Sequence, residues 1–573
     1  MKTKNIFKTL TFAMLMPTML LTTACSNEDD VANTSNMTNK GYALPVTVNV
    51  TRQADGATRA SFDGSKLNFS AGDQLYVEGS ESSAGLFSGT LTWQSGGTFS
   101  GTITTDNVYS GTADELFTAA VSNGYVQATL LPNGYGTYGF FEFSKGSLVW
   151  EYNNAFATSK ATAIEQFSYE FANTYSSGFA LAPQSAILNF TITGLTPNAS
   201  NVAVSLTDGV LSNVSGNVTT DGDGTATFAV GVHEYTDLNG LSLTVGGNAI
   251  TLVSSSTSAA AGKIYNITRS KVTDLSTLTS NYTAQNGETL TGELDVANYP
   301  VKISIAAGAT VTLDNVTING VHNNSYKWAG ITCLGDATII LKDGTTNTVR
   351  AFNSYYPGLQ AGPAGTTLTI QGSTGKLIAN CSNYTYPAGA GIGAARNEEC
   401  GNIVIEGGDI TATGGYAGIG GAYGSAVMGS GTCGDITITG GTVTARAGDY
   451  SAGIGGGRGA YGSCGNITIS GGTVTAISKA INTAAIGTGD GSTCTSVTIT
   501  TGITNLTMTN SHSSVTGIVS NFLNATAVNA NTTPITTMLS TSVTDATITT
   551  GMASAGFATL YDGDAKTWTV TKK

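Results

Sequence analysis

The stretch Asn466-Ile-Thr-Ile-Ser-Gly-Gly-Thr-Val-Thr-Ala476 decides the fold of the C-terminal half. Near copies of it are Asn402-Ile-Val-Ile-Glu-Gly-Gly-Asp-Ile-Thr-Ala412 and Asp435-Ile-Thr-Ile-Thr-Gly-Gly-Thr-Val-Thr-Ala445. Weaker copies begin at Ala309, Ala337, Thr366 and Ser496. A period of about 30 residues that contains only short strands and glycine turns is typical of a parallel β-helix, in which each copy forms one coil. The sequence predicts about seven coils.

Alternation within each copy predicts which side chains face the interior of the coil. Ile467 and Ile469 face inward and Thr468 outward; the chain bends at Gly471-Gly472, and Val474 then faces inward. A second marker, Ala-Gly-Ile, recurs in phase and predicts a third strand whose small residues let that wall approach the core. The predicted stacked columns are Ile403/Ile436/Ile467/Val497 and Ile410/Val443/Val474.

Cysteines share one position of the repeat. Cys400, Cys433, Cys464 and Cys494 each precede a copy, so we expect them to stack as a column that Cys333 extends. Residues in register point their Cβ atoms the same way, which favours buried thiols over disulfides. No two cysteines have the Cys-x-x-Cys spacing of a zinc site, and we predict no metal and no cofactor.

Aromatic residues recur just before the Ala-Gly-Ile marker. The set is Tyr326, Trp328, Tyr355, Tyr356, Tyr384, Tyr386, Tyr416 and Tyr450. Their phase predicts a strip along one edge of the β-helix. Flat rings that carry a polar group stack on sugar faces, so these residues are the predicted glycan-binding set. The alternative is a tyrosine stack that only shields the turns.

The repeats contain few of the acidic residues that catalysis by a β-helix enzyme requires. Many β-helices are polysaccharide lyases or hydrolases, which use paired carboxylates or an acidic calcium cluster. Asp409 has threonines at the equivalent positions of the next two coils, and the cluster of Arg396, Glu398 and Glu399 is expected to be a solvent-exposed turn. We therefore predict no catalytic residue and no enzyme, with a polysaccharide-degrading β-helix enzyme as the alternative.

Composition extends the all-β prediction to the whole chain. The 573 residues include 74 glycines and only 11% charged residues, which disfavours helices, and residues 41–270 alternate between apolar and polar with frequent turn residues. This pattern is typical of β-sandwiches. The net charge of −13 and the absence of a basic stripe exclude nucleic acid as a partner.

Short motifs in the front half resemble a known family. They are Thr58-Arg59-Ala60-Ser61-Phe62, Phe69-Ser-Ala-Gly-Asp73, Ala182-Pro-Gln-Ser-Ala-Ile-Leu188 and Ala261-Gly-Lys-Ile-Tyr-Asn-Ile-Thr-Arg269. Over about 230 residues the chain resembles the fimbrillin lipoproteins of Bacteroidota. The resemblance implies tandem transthyretin-like β-sandwiches, proteolytic maturation after Arg59, and strand addition between fimbrial subunits. Other members of the family remain single anchored lipoproteins.

The N-terminus has the pattern of an export signal. A basic start at Lys2–Lys8 precedes an apolar run, and Thr22-Thr23-Ala24-Cys25 resembles the lipobox of bacterial lipoproteins, although Thr22 replaces the usual leucine. The resemblance implies that Cys25 is lipidated. The acidic stretch Ser26–Asp30 resembles the signal that sends such lipoproteins to the outer membrane, facing the cell exterior.

Together these patterns predict six segments: signal peptide 1–25, acidic tether 26–40, β-sandwich 1 at 41–181, β-sandwich 2 at 182–270, parallel β-helix 271–514 and a C-terminal β cap at 515–573. The predicted function is that of a lipid-anchored cell-surface adhesin or glycan-binding display protein, serving as a fimbrial tip or accessory subunit. Its predicted ligand is a host or dietary glycan. A structural pilus subunit is a further alternative.

Overall fold

The computed structural model describes residues 41–52, 69, 71–131, 141–144, 147–150, 155–166, 170–183, 185–207, 214–233, 236–238, 240–252, 258–260, 262–321, 323, 325–381, 388–515, 522–524, 527–528 and 556–573. Cys25, Arg59, Tyr384 and Tyr386 lie outside these residues. The fold is all-β, with 51% strand and 4% helix, as predicted. The chain forms two compact units: residues 1–191, 201–218 and 227–268 make the first, and residues 192–200, 219–226 and 269–573 make the second.

A closed sheet forms the beginning of the first unit. This part of the chain contains, in order, β1 (Tyr42–Arg52), β2 (Gln74–Glu81), β3 (Gly85–Ser95), β4 (Thr98–Thr105), α1 (Ala113–Asn123), β5 (Tyr125–Leu131), β6 (Phe141–Ser144), β7 (Ser147–Trp150), β8 (Ala155–Ala157), α2 (Lys160–Gln166), β9 (Glu170–Ala172) and β10 (Phe179–Pro183). Strands β6 and β7 pair with each other in a separate two-stranded sheet. The strand order is β1-β10-β9-β5-β2-β3-β4. Strand β1 pairs with β4 along residues 42–49 and with β10 at residues 50–52. This long strand joins the two layers of the predicted sandwich into a barrel.

Two four-stranded sheets follow. They use β11 (Ser185–Thr193), β12 (Val202–Thr207), β13 (Val214–Val218), β14 (Ala226–His233), β15 (Ser242–Val245), β16 (Asn248–Ile250) and β17 (Ile264–Ser270). The orders are β17-β11-β14-β8 and β13-β12-β15-β16. Phe190 and Phe228 are fully buried with ring centroids 4.9 Å apart. Strand β8 comes from the segment assigned to the first sandwich but pairs with β14.

The second unit is dominated by the predicted parallel β-helix. Its strands are β18 (Val272–Asp274), β19 (Tyr282–Ala284), β20 (Glu288–Glu293), β21 (Ile303–Ile305), β22 (Ala309–Asn319), β23 (Ile331–Cys333), β24 (Ala337–Leu341), β25 (Thr346–Arg350), β26 (Leu359–Gln360), β27 (Thr367–Gly372), β28 (Lys376–Asn380), β29 (Ile392–Gly393), β30 (Asn402–Ile405), β31 (Asp409–Thr413), β32 (Ile419–Gly420), β33 (Ile436–Ile438), β34 (Thr442–Arg446), β35 (Ile454–Gly455), β36 (Cys464–Ile469), β37 (Thr473–Ser478), β38 (Ile486–Gly487), β39 (Cys494–Ile499), β40 (Asn505–Asn510), β41 (Leu523–Asn524), β42 (Ala527–Val528), β43 (Phe557–Asp562) and β44 (Thr567–Lys572). A 3₁₀ turn spans Leu275–Thr277.

Three walls of parallel strands surround one apolar core. The first wall runs from β22 through β24, β27, β30, β33 and β36 to β39, and the second from the end of β22 through β25, β28, β31, β34 and β37 to β40. The third wall holds β23, β26, β29, β32, β35, β38 and β41, preceded by β19 and β21. Between β22 and β41, each of the three walls thus contains seven strands. The chain completes six turns of the β-helix between the first and the last of them.

The predicted columns have the predicted register. Ile403 pairs with Ile436, Ile436 with Ile467, and Ile467 with Val497, while Ile410, Val443 and Val474 pair in the second wall. All of these side chains are fully buried, and they belong to one continuous core cluster. Residues about 30 apart in sequence are therefore hydrogen-bonded neighbours, because each coil adds one strand to every wall.

Glycine sets the path of the third wall. Four of its strands read Ile-Gly, and Gly393, Gly420, Gly455 and Gly487 have φ angles between 121° and 134°. A Cβ atom on Gly420 would lie 2.1 Å from the carbonyl oxygen of Gly455, and one on Gly455 would lie 2.1 Å from that of Gly487. Only glycine fits where backbones of successive coils approach this closely.

The cysteine column is formed by four of the five predicted residues. Cys400 pairs with Cys433, Cys433 with Cys464, and Cys464 with Cys494, and all are buried free thiols. A hydrogen bond with Cys400, together with burial, holds the pKa of Cys433 well above that of an ordinary thiol. The prediction for Cys333 is wrong: it lies in β23 of the third wall and pairs with Ile305, because it follows the Ala-Gly-Ile marker rather than preceding a first-wall strand.

The C-terminal strands close the second wall. Strand β44 pairs antiparallel with β40 and with β43, so the hairpin covers hydrogen-bonding groups of the last second-wall strand. Trp568 on β44 is 1% exposed and packs against Tyr561, with ring centroids 5.2 Å apart. The last strand of the second wall, β40, is thereby covered by an antiparallel strand of the same chain.

Candidate functional site

The predicted aromatic residues lie in the loops beside the third wall. Tyr355 and Tyr356 lie between β25 and β26, Tyr416 between β31 and β32, and Tyr450 between β34 and β35. The aromatic residues of these loops form three separate groups, which we call the Tyr326 cluster, the Arg396 cluster and the Arg458 pair.

The Tyr326 cluster comprises Tyr326, Trp328 and Phe352. The Tyr326 and Trp328 ring centroids are 5.2 Å apart, and Trp328 lies 5.7 Å from the fully buried Phe352. Tyr326 and Trp328 are half-buried and pack against the core of the β-helix. These contacts fit the alternative in which aromatic residues shield a turn.

The Arg396 cluster comprises Tyr355, Arg396, Tyr416 and Tyr423. The guanidinium carbon of Arg396 lies 4.5 Å from the centroid of the Tyr355 ring and 5.1 Å from that of the Tyr423 ring. Tyr423 is 6.0 Å from Tyr416, centroid to centroid. One cation thus contacts rings from two other coils, at distances where cation–π attraction is effective.

Glu398 lies beside the Arg396 cluster, and both of its carboxylate oxygens accept hydrogen bonds. Its Oε1 accepts a hydrogen bond of 2.9 Å from the Tyr356 hydroxyl, and its Oε2 accepts one of 2.9 Å from Gln360 Nε2. Burial, together with the bond to Glu398, raises the pKa of Tyr356. Glu398 and Glu399 are exposed, as expected for a solvent-exposed turn, whereas Arg396 is half-buried because Tyr355 and Tyr423 from neighbouring coils lie beside its guanidinium.

The Arg458 pair comprises Tyr450 and Arg458. The guanidinium carbon of Arg458 lies 4.4 Å from the Tyr450 ring centroid, and its Nε lies 3.9 Å from Asp490 Oδ2. Tyr450 has a positive φ of 64°, and its side chain is 46% exposed. Tyr461, on the loop that follows, is 45% exposed.

The contacts between arginines and tyrosines were not predicted from the sequence, although the arginines share one position of the repeat. The fourth residue after the marker isoleucine is Arg396, Tyr423, Arg458 and Asp490 in four successive coils. Tyr423 and Arg458 form a backbone bridge, which confirms that this position is in register between those coils. The position therefore forms a polar column that runs beside the predicted tyrosines.

Acidic residues of the walls have partners of their own. Asp409 Oδ2 lies 3.1 Å from Lys376 Nζ, and Asp435 Oδ1 accepts a 2.7 Å hydrogen bond from the Asn466 backbone N–H. Among the described residues, no three His, Cys, Asp or Glu side chains are arranged to hold a metal ion. In the same part of the chain, no helix has the length and apolar character required to span a bilayer.

Comparison with known proteins identifies the repeat. A family model for the beta helix repeat matches residues 403–423, 436–458 and 467–490, which are three of the coils described above. No curated protein matches the chain.

Two solved structures show limited similarity. A proposed cell adhesion protein of Bacteroides fragilis NCTC 9343 is 14% identical, with 39% of this chain and 88% of that chain covered and a TM-score of 0.19. A proposed cell adhesion protein of Bacteroides uniformis ATCC 8492 is 16% identical, with 40% and 94% covered and a TM-score of 0.22. Similarity at this level carries no argument about function.

Proposed function

We propose that this protein is a cell-surface adhesin that binds glycans through the aromatic loops beside the third wall of its β-helix. The observation that carries the proposal is the pair of exposed rings Tyr355 and Tyr450, which are 42% and 46% exposed although each is stacked on an arginine. A ring held in this way offers a rigid surface, so little conformational entropy is lost when a sugar stacks on it.

The aromatic groups contribute unequally to this function. The Tyr326 cluster packs inward, and Tyr356 is committed to Glu398. The proposed contact residues are therefore Tyr355, Tyr416 and Tyr450. Tyr384 and Tyr386 remain in the proposal on sequence grounds alone.

We expect Tyr450→Ala to weaken glycan binding by about tenfold, which is the loss of one aromatic contact worth about 1.4 kcal/mol. The experiment applies the full-length protein to a glycan array and then measures the affinity for each positive glycan by calorimetry. Tyr450→Phe retains the ring and should stay within about twofold of wild type, because stacking requires only the aromatic face.

Leu560→Ala is the matched control for this prediction, since Leu560 is a large, 68% exposed apolar residue of the terminal hairpin and not of the aromatic loops. Equal affinities for wild type and Tyr450→Ala across all positive glycans would exclude Tyr450 from the binding surface. Release of oligosaccharide products from a polysaccharide by the wild-type protein would instead favour the enzyme alternative.

The placement of this surface on the cell is also a proposal. Its support is the lipobox-like sequence ending in Cys25, the acidic tether 26–40 and the fimbrillin-like motifs of residues 41–270. In this arrangement the chain is anchored by lipid in the outer membrane, the sandwiches at 41–181 and 182–270 form the stalk, and the β-helix with its cap presents the ligand site. Strand addition to fimbrial subunits after cleavage at Arg59 belongs to the same proposal.

We expect Cys25→Ser to abolish incorporation of labelled palmitate and to move the protein from the membrane fraction to the soluble fraction, because the thiol is the lipid attachment atom. Labelling in the producing bacterium followed by fractionation measures both effects. Mass spectrometry of the mature N-terminus separates the alternatives: a start at Cys25 indicates an anchored protein, and a start at Ala60 indicates maturation for polymerisation. Unchanged labelling of the serine variant would rule out Cys25 as the anchor.

A further inference from the structure

We propose that Arg396 makes the aromatic loops selective for carboxylated sugars, an inference that rests on the proposed glycan-binding function. The guanidinium carbon of Arg396 lies over two rings, 4.5 Å from the centroid of Tyr355 and 5.1 Å from that of Tyr423. A guanidinium that contacts aromatic rings can still bind an acceptor at its edge, because its N–H donors lie in its plane.

The charge of Arg396 has no counter-ion within the described part of the chain. No carboxylate oxygen lies within 4 Å of its nitrogens there, and because its unpartnered Nε is buried, an external anion would bind through the two terminal Nη atoms. Glu398, two residues further on, directs both oxygens to Tyr356 and Gln360. Half-buried charges are normally paired, and an unpaired one therefore indicates a site for an anion.

Arg458 supplies an internal comparison. It stacks on Tyr450 at 4.4 Å just as Arg396 stacks on Tyr355, but its Nε lies 3.9 Å from Asp490 Oδ2. The two arginines occupy the same position of the repeat, and among the described residues only Arg458 has a carboxylate partner. The arginine without such a partner, Arg396, is the one that contacts two rings.

A carboxylated sugar satisfies both parts of this site. Its planar carboxylate matches the guanidinium edge and can accept two parallel hydrogen bonds, while its ring can stack on the exposed Tyr355. The net charge of −13 repels acidic glycans at long range, so the selectivity must arise from this direct contact. A neutral sugar would leave the Arg396 charge unpaired.

The experiment measures binding of the full-length protein to polygalacturonate, alginate and 3′-sialyllactose, each compared with its carboxyl-reduced form. We expect at least one acidic probe to bind about tenfold to a hundredfold more tightly than its reduced form, which is the range of one charge-assisted contact. Arg396→Gln should remove the difference, and Arg396→Lys should restore it only in part, because lysine keeps the charge but loses the planar fork. Lys342→Gln, which removes an exposed cation paired with Asp314 outside the aromatic loops, should leave the difference unchanged.

The possible results separate this inference from the proposed function. If neutral and acidic forms bind equally and Arg396→Gln has no effect, the selectivity is refuted while glycan binding stands. If none of the three acidic probes binds better than its reduced form, or if sulfated glycans alone bind, the carboxylate assignment is overturned. Circular dichroism of each variant shows that it is folded, and a loss of selectivity caused by unfolding would also abolish binding of neutral glycans.

Discussion

Gly455→Ala is expected to lower the free energy of unfolding of the β-helix by about 3–5 kcal/mol, the sum of backbone strain and overpacking. Gly455 has a φ of 134°, which L-residues rarely adopt, and its added Cβ would lie 2.1 Å from the carbonyl oxygen of Gly487. Neither strand can withdraw, because β35 is hydrogen-bonded to β32 on one side and to β38 on the other. Urea denaturation followed by circular dichroism measures the loss.

Gly344→Ala is the matched control for the third-wall substitution. Gly344 also has a positive φ, of 72°, but no atom lies within 4 Å of the position of its added Cβ. We expect a loss of about 1–2 kcal/mol, which is the cost of the backbone conformation alone. Because each coil contacts only its neighbours, hydrogen exchange should show the Gly455→Ala damage concentrated in β32, β35 and β38. Equal losses for the two alanine variants would contradict a steric role for the glycine column.

The periodic part of the fold was predictable from the sequence. Inward positions such as Ile436 and Ile467 repeat with a strand period of two inside the copy, and the copies repeat at a nearly constant interval. These two periods together determine the wall, the orientation and the neighbours of a residue. The register of Ile436 with Ile467, and of Cys433 with Cys464, follows from them.

The parts that escaped prediction depend on where a residue lies within the coil or on the path of a loop. Residue type alone groups Cys333 with the cysteine column, although its position within the coil places it in the third wall. Arg396 meets Tyr355 and Tyr423 only because loops of unequal length from three coils converge, and no alternation rule describes such loops. Strand β1 likewise joins two layers because it is long enough to pair with both β4 and β10.

Glu288→Ala is expected to lower the free energy of unfolding by about 3–5 kcal/mol, the typical cost of removing one partner from a buried ion pair. Glu288 is fully buried at the first rungs of the β-helix, where Lys271 Nζ lies 3.4 Å from its Oε1. The hydroxyls of Thr273 and Tyr282 also donate to Oε1, and the Gln285 N–H donates to Oε2. Alanine would leave all four donors without this acceptor.

An exposed-pair control and a double-mutant cycle test whether Glu288 acts as part of a buried network or only as one member of an ion pair. Asp314→Ala removes the partner of Lys342 in a 2.5 Å pair whose lysine is 55% exposed, and it should cost less than about 1 kcal/mol because water replaces the lost partner. Lys271→Met combined with Glu288→Ala should cost less than the sum of the single changes, since the unpaired cation is then absent. Additive losses in this cycle would show that Lys271 and Glu288 act independently. In that case the stability of the first rungs would come from the hydroxyl and amide donors alone, and Glu288→Gln, which keeps an acceptor oxygen, should retain most of it.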